Sequence, residues 1–284
     1  MQNKFSTVAL CSTSNEERII SIAKQCLEVL MSQKINVLID KNLSKLKSSR
    51  SLVANENDII NNSDLVIAIG GDGTMLNSSR KYGSRNVPIL GINLGNLGFL
   101  ADINPADLTS SLLEIIEGKY RKDSRSFLEA SVKGRKKRLL ALNEVVIHSG
   151  AIAQLMEFEL FVDNSFVYRQ RADGLIVSSS TGSTAYSLSG GGPIIHPEVD
   201  ALVLLPMLPQ SLAASPLLVK DKSKILINLL NKQKAHLSFD SHDSLILTGN
   251  NQITISKANS TLNLIHPLNH DFFEACRNKL GWSS

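Results

Sequence analysis

Gly70-Gly71-Asp72-Gly73-Thr74 sets a carboxylate inside a turn suited to anions. The run follows the apolar stretch 64–69 and precedes a helix-compatible stretch, 75–82. Glycine accepts positive φ and lets the backbone come close to a ligand, so successive amides can converge on an anion. A helix opening after the turn adds free N–H groups and the positive end of its dipole. A plain phosphate cradle gains nothing from an acid. Asp72 makes sense if it takes a proton from a hydroxyl that attacks a phosphoryl group, or if it helps hold Mg²⁺. The same residues also suit a tight strand-to-helix turn with a solvated carboxylate. The motif suggests phosphoryl transfer without requiring it.

Two other phosphate signatures are absent. No G-x-x-x-x-G-K-[ST] occurs in the chain, which excludes a P-loop NTPase. The run Gly91-Ile-Asn-Leu-Gly95-Asn-Leu-Gly98 has the wrong spacing for G-x-G-x-x-G, which disfavours a Rossmann dehydrogenase.

Asn143-Glu144 interrupts strand-like residues, 139–142 before it and 145–147 after it. An adjacent amide and carboxylate can recognise adenine or ribose hydroxyls, and they equally suit a turn or bulge. Thr181-Gly-Ser-Thr-Ala-Tyr-Ser-Leu-Ser189, followed by Gly190-Gly-Gly-Pro193, gathers hydroxyls and glycines around a possible polar ligand. Arg171-Ala-Asp173-Gly174 adds a cation and an anion upstream. A flexible Ser/Gly loop would have a similar composition. However, apolar residues 175–177 and 193–195 bracket this run, which places it inside the fold and favours a functional reading.

The elements that must position these groups change type along the chain. Residues 7–12 and 36–40 are strand-like, and between them 16–32 repeats apolar residues at helical spacing, so the chain opens β-α-β. Residues 64–69 and 87–90 are apolar strands of the parallel-sheet kind, and 108–116 is a helix closed by Gly118. An α/β domain over 1–120 follows, Rossmann-like, with ligands at the strand carboxyl ends. Beyond it, 158–169 alternates about a turn at Asp163-Asn164, and short strands recur near 224–229, 236–239, 244–247 and 252–256. That pattern predicts a β-sandwich-like second domain over 121–266. Helical periodicity over 270–280 predicts a C-terminal helix, within 267–284, that returns to the first domain.

Composition sets bounds on partners. The chain has 284 residues, 43% hydrophobic and 20% charged, which describes an ordinary globular protein. Its net charge of +4 suits anionic small molecules without demanding nucleic acid. The basic cluster Lys133-Gly-Arg-Lys-Lys-Arg138 has no interleaved aromatics and reads as a solvated hairpin tip. Cys11, Cys26 and Cys276 lie far apart without a C-x-x-C, so neither a disulfide framework nor a zinc site is expected. The N-terminal residues lack a signal-peptide pattern and no apolar run is long enough to span a bilayer. A soluble, cytoplasmic protein is expected, with no membrane partner.

Together, these segments resemble the NAD kinases. Gly70-Gly-Asp-Gly-Thr74, Gly91-Ile-Asn-Leu-Gly-Asn-Leu-Gly-Phe99, Asn143-Glu144, and Arg171-Ala-Asp-Gly-Leu175 followed by the Thr181–Pro193 block stand in that family's order and spacing. Leu262-Asn-Leu-Ile-His-Pro267 and Lys279-Leu-Gly-Trp282 look bacterial. The first motif alone is shared with diacylglycerol and sphingosine kinases; the Thr181–Pro193 block is far more specific.

The resemblance implies an enzyme in which ATP, with a divalent metal cation such as Mg²⁺, phosphorylates the 2′-hydroxyl of the adenosine ribose of NAD to give NADP. It implies that Asp72 is the general base and that Gly70, Gly71, Gly73 and Thr74 line the triphosphate. It further implies that NAD is held by Asp72, Gly73, Asn143, Glu144, Arg171, Asp173, Thr184, Ala185, Tyr186, Ser187, Leu188, Ser189 and His242. Metal ligands are not assigned. Family members are typically homodimers or homotetramers that build each NAD site across subunits.

The chain departs from the family pattern in three places. Asp240-Ser241-His242 stands where a Gly and a Gln usually follow the Asp, which puts a contact from His242 in doubt. Gln154 replaces a frequent basic residue, and Gly190 a usual Ala. A lipid kinase of the diacylglycerol type would share the first motif but leave Asn143-Glu144 and the Thr181–Pro193 block without a use. A non-catalytic dinucleotide sensor would not need Asp72.

Overall fold

The computed structural model describes residues 4–47, 51–95, 98–136, 138–150, 155–211, 214–230, 234–248 and 251–282. The chain divides into two compact units, Met1–Arg125 with Ser260–Ser284, and Ser126–Asn259.

The first unit alternates strands and helices: β1 (Thr7–Cys11), α1 (Glu17–Ser32), β2 (Asn36–Ile39), β3 (Ser51–Val53), α2 (Glu56–Asn62), β4 (Leu65–Ile69), α3 (Asp72–Lys81), β5 (Ile89–Ile92) and α4 (Leu108–Ile116). The strands pair in parallel in the order β3-β2-β1-β4-β5. Every residue of β4 and β5 is buried, as a parallel sheet covered on both faces requires. α1 contributes Ile19, Ile22, Ala23, Cys26, Leu27 and Leu30 to the core, the apolar stripe that its sequence spacing predicts.

The second unit is built from antiparallel strands. In chain order they are β6 (Arg121–Val132, which begins in the first unit), β7 (Arg138–Ala141), β8 (Glu144–His148), β9 (Met156–Val162), β10 (Ser165–Ala172) and β11 (Gly174–Ser179). The short helix α5 (Tyr186–Ser189) follows. Then come β12 (Ala201–Met207), β13 (Leu217–Lys220), β14 (Ile225–Leu229), β15 (Ala235–Phe239), β16 (Asp243–Leu247) and β17 (Gln252–His266). One sheet runs β13-β12-β11-β8-β15-β16, while β14 pairs with β9 and with residues 252–255 of β17. Val145, Ile147, Val177 and Phe239 of the first sheet share a core with Phe158, Leu160, Ile227 and Ile253 of the second set, so two apolar faces close on each other as a sandwich.

β17 ends in the first unit, where Leu264 and Ile265 extend the parallel sheet beside β5. α6 (Phe272–Leu280) belongs to that unit as well. The expected α/β unit, β-rich unit and returning helix are all present.

Boundaries differ for physical reasons. β5 begins after Pro88, which cannot donate to the ladder, and runs on through Gly91 to Ile92. β17 continues ten residues beyond the expected 256 because both its faces carry polar residues, which hides its alternation. The hairpin at Asp163-Asn164 is confirmed: both residues have positive φ, 50° and 68°, as a two-residue connection between right-twisted strands requires. Exposed residues 133–136 follow β6 and Arg138 opens β7 of the antiparallel pair β6–β7, as expected of a hairpin tip. Asn96, Leu97, Lys137 and Gln154 lie outside the described residues. Among the described residues, no helix is long and apolar enough to cross a membrane.

Candidate active site

Asp72 is the first residue of α3, with Gly71 as its N-cap, so the helix begins three residues earlier than its apolar pattern indicates. An acid in the first helical turn meets the positive end of the dipole, which favours this earlier start. Gly70 has φ +154°, and a Cβ there would fall 2.3 Å from Thr74 Oγ1, so only glycine passes from β4 into the turn. Gly71 and Gly73 face open space within 4 Å. The N–H groups of Asp72 and Gly73 have no intrahelical acceptor, as geometry dictates for the first turn.

Side chains from elsewhere in the same unit fix this turn. Thr74 Oγ1 lies 2.8 Å from Thr13 Oγ1, and Ser12 Oγ donates to Ile69 O at 2.9 Å. Leu100 N–H donates to Asp72 Oδ1 at 3.3 Å. A Cβ on Gly98 would sit 2.5 Å from that same oxygen, so the backbone at Gly98 closes against the carboxylate. Lys279 Nζ lies 3.3 Å from Asp72 Oδ2. Neither Ser12-Thr13 nor Lys279 was singled out as a site residue from the sequence. A hydroxyl pair directly after an apolar strand is a signal that could have marked the first two.

In the second unit the structure brings Asn143-Glu144 and the Thr181–Ser189 run together. A 3₁₀ turn (Thr181–Thr184) and α5 replace the flexible loop that the composition also allowed. Ser179 N–H donates to Asn143 O at 2.8 Å, and Ser179 Oγ to Leu142 O at 2.6 Å. A Cβ at Gly182 would lie 2.2 Å from Asn143 O, so the turn packs backbone against backbone. Ser183 Oγ ties this turn to Ile195 through its N–H, at 3.0 Å.

Asp240 is the organiser that sequence reasoning passed over. It is buried with φ 48°, and its carboxylate accepts the N–H groups of Leu142 at 2.8 Å, Asn143 at 2.8 Å and Glu144 at 3.2 Å. Glu144 is 3% exposed. Burial, together with the Asp240 charge, pushes its carboxyl up to about 8, against a lowering hydrogen bond from Tyr186 N–H. Its Oε2 has no hydrogen-bond partner among the described residues, and neither has buried Ser187 Oγ. Buried polar atoms left open in this way are candidates for ligand contact.

A cleft of about 430 Å³ opens beside these groups, lined by His148, Ser149, Asp173, Tyr186, Met207 and Ser241 among others. His148 and His236 stack with ring centroids 5.3 Å apart, and burial followed by the His236 charge lowers the His148 pKa.

Of the NAD-contact residues expected in this unit, Asp173 and Tyr186 line the cleft, and Glu144 reaches Tyr186. Thr184, Ala185 and Leu188 are half-buried around α5, and Ser189 is exposed. Arg171 is exposed near the end of β10, and His242 is exposed with its N–H on Phe239 O at 3.0 Å; neither lines the cleft.

A separate buried network joins Asp102, His266 and His270 in the first unit. His266 Nδ1 and His270 Nδ1 lie 2.8 and 2.7 Å from Asp102 Oδ2, and His266 Nε2 lies 3.7 Å from Asp123. These ligand atoms could converge on an ion, but two imidazoles do not suit Mg²⁺, which wants oxygen. Burial would lower the His266 pKa, yet hydrogen bonds and charge from Asp102 and Asp123 raise it. The cluster is an ion-pair network in which Asp102 Oδ1 and His266 Nε2 have no hydrogen-bond partner among the described residues.

Residues 8–120 match the family described as ATP-NAD kinase N-terminal domain, and residues 142–267 the ATP-NAD kinase C-terminal domain. An NAD kinase of Teredinibacter turnerae is 40% identical over 286 residues, covering 99% of this chain and 98% of its own. That of Alcanivorax borkumensis is 40% identical over 289 residues, covering 100% and 96%. A crystal structure of yeast NADH kinase complexed with NADH matches with TM-score 0.89 and 26% identity, over 100% of this chain and 89% of that one. An Archaeoglobus fulgidus NAD kinase in complex with ATP matches with TM-score 0.75 and 27% identity, over 97% of each.

Proposed function

The chain belongs to the NAD kinase family of enzymes, and from that premise we propose that it transfers the γ-phosphoryl group of ATP to the 2′-hydroxyl of the adenosine ribose of NAD, with Asp72 as general base. The observation that carries this reading is the carboxylate at the first position of α3, beside unpaired helical amides and held at both oxygens. The hydroxyl oxygen bonds to the γ-phosphorus, its proton passes to Asp72, and the bond to the β–γ bridging oxygen breaks to release ADP. Little covalent work falls to the protein, and positioning dominates.

Gly70, Gly71, Gly73 and Thr74 cradle the phosphates in this reading. The oxygen donors at the turn, the Asp72 carboxylate and the Thr74 hydroxyl, fit a Mg²⁺ that keeps most of its ligands from phosphate and water. Such an ion would neutralise phosphate charge. NAD is held by Asn143, Glu144, Asp173 and the Thr184–Ser189 stretch. The open Oε2 of Glu144 suits a sugar hydroxyl, whose O–H would satisfy it. Arg171 and His242 lie outside the cleft. A cytoplasmic homo-oligomer completes the reading by family likeness.

The test is direct. Purified protein incubated with MgATP and NAD should form NADP and ADP in equal amounts. ATP consumption without NADP would overturn the assignment, and NAD binding without ATP turnover would favour a sensor.

A further inference from the structure

We propose that Asp102, His266 and His270 form a binding site for Zn²⁺, separate from the phosphate turn. This inference does not depend on the reaction assigned above. The fold brings the three residues together from distant segments of the first unit. Asp102 precedes Ile103, which bridges to Ile92. His266 is the last residue of β17, and His270 stands two residues before α6 begins. Their side chains are 7%, 1% and 10% exposed, so this is an interior cluster and not a solvated surface patch.

The donor set selects the ion. One ligand atom from each residue lies within 4.8 Å of the other two. Nδ1 of His266 and Nδ1 of His270 both meet Asp102 Oδ2, at 2.8 and 2.7 Å. Two imidazole nitrogens with a carboxylate oxygen suit Zn²⁺, whereas Mg²⁺ and Ca²⁺ take oxygen ligands. Asp102 Oδ1 is buried without a hydrogen-bond partner among the described residues. An ion pair accounts for the Nδ1 contacts but leaves that oxygen bare in the interior, which is costly. His266 Nε2 is open as well and faces Asp123 Oδ2 at 3.7 Å. Metal-bound histidines hold their second ring N–H against a carboxylate in this way. Asp123 is itself fixed by Arg125 at 2.6 Å.

Binding requires small movements. Tetrahedral Zn²⁺ holds its ligands at about 2.0–2.1 Å and thus about 3.3–3.4 Å from one another, so the present contacts must open by about 0.6 Å. Asp102 Oδ1 has no bond to break as the carboxylate withdraws, and it can take the fourth position itself. The two rings stack at 4.0 Å with 16° between their planes. Both cannot hold one ion in plane, so His270, the less buried, must turn its edge toward it. Asp102 lies two residues past Leu100, whose N–H bonds Asp72 Oδ1, so the ion braces the segment behind that carboxylate. Without the ion, the same groups form the ion-pair network described above.

Calorimetric titration of chelator-treated protein with ZnCl₂ tests this. The parent should bind one Zn²⁺ per chain, and Zn²⁺ at about 100 times its Kd should raise the melting temperature by several degrees. His270→Ala and Asp102→Asn, which remove ligands, should each weaken binding by more than about 100-fold, while Asp123→Asn should weaken it by about 10- to 100-fold. Co²⁺ added to the parent in place of Zn²⁺ should give the intense visible bands of a four-coordinate site. No saturable Zn²⁺ binding, only six-coordinate Co²⁺ bands, or binding that His270→Ala leaves unchanged overturns the inference. So does binding lost in His236→Asn but kept in His270→Ala, which would move the ion to the His148–His236 stack. If Asp102→Asn does not fold, His270→Ala and the Co²⁺ spectrum of the parent decide.

Discussion

Asp240 and Glu144 hold each other reciprocally: Asp240 Oδ1 accepts Glu144 N–H at 3.2 Å, while Glu144 O accepts Asp240 N–H at 3.1 Å. With the Leu142 and Asn143 amides on the same carboxylate, one buried side chain sets the backbone that presents the Asn143-Glu144 pair. Asp240→Asn keeps the size but turns a donor toward amide donors. We expect a stability loss of about 2–4 kcal/mol, the range for breaking a buried charged network, read by denaturant unfolding. Weakened NAD binding should accompany it. An unchanged midpoint would mean that the cradle contributes no order.

Glu144 carries a pH signature. Its carboxyl is raised to about 8, so the folded state binds a proton that the unfolded state releases near the ordinary carboxylate value. Between about pH 4.5 and 8 the unfolded chain therefore binds fewer protons, and this group's contribution to stability falls as pH rises, levelling off above 8. Glu144→Gln should remove that slope and leave the variant more stable than the parent above pH 8, by a margin on the order of 2 kcal/mol. NAD affinity of the parent should tighten as pH passes through about 8, because the ionised oxygen accepts a hydroxyl better. Calorimetric titration at pH 6.5 and 8.5 checks this, and Glu144→Gln should show no such change.

Asp72→Asn should leave NAD binding intact and lower kcat by about 10²–10⁴, the usual scale for losing a general base. Steady-state kinetics with an independent NAD binding measurement separates the two effects. Near-parental turnover would remove Asp72 from the mechanism.

NAD lacking the adenosine 2′-hydroxyl should bind and inhibit without being phosphorylated, since no nucleophile remains. Product analysis by mass spectrometry is the check. A phosphorylated deoxy product would move the attacking oxygen elsewhere.

The Asp102–His266–Asp123 network gives a second pH dependence, of the same sign for His266. His266 is raised, so its stabilisation is complete below about pH 6.5 and is lost as pH rises through its folded value. Asp102 is lowered, mainly by its histidine partners acting against burial, so its contribution is lost only in acid, below about 4. His266→Asn should cost most near pH 5–6 and least above pH 8, measured as unfolding midpoints across that range.

Much of the positioning was legible in the sequence. Apolar β4 followed by Gly70-Gly71 predicted a strand entering a turn, and the φ of +154° at Gly70 shows why glycine stands there. The Asp163-Asn164 hairpin was equally explicit, because positive φ at two successive residues has a narrow residue code. Local backbone chemistry is written locally, so it can be read locally. The bracketing of the Thr181–Pro193 run by apolar segments predicted an interior position, which Gly182, Ser183 and Ser187 take, whereas Tyr186 and residues 189–191 are exposed.

What only the tertiary structure decided is which distant groups meet. Nothing near Asp72 announces Lys279, 207 positions away, and nothing near Leu142 announces Asp240, 98 positions on. A carboxylate finds its partner through the packing of whole strands and helices, and side-chain periodicity carries no address for that partner. The sequence therefore determined that an acid sits in a phosphate-friendly turn and that an amide–acid pair sits among strands. Packing in the assembled fold determined that one acid lies beside a lysine, while burial and charge push the other, with its carboxyl raised to about 8, toward neutrality.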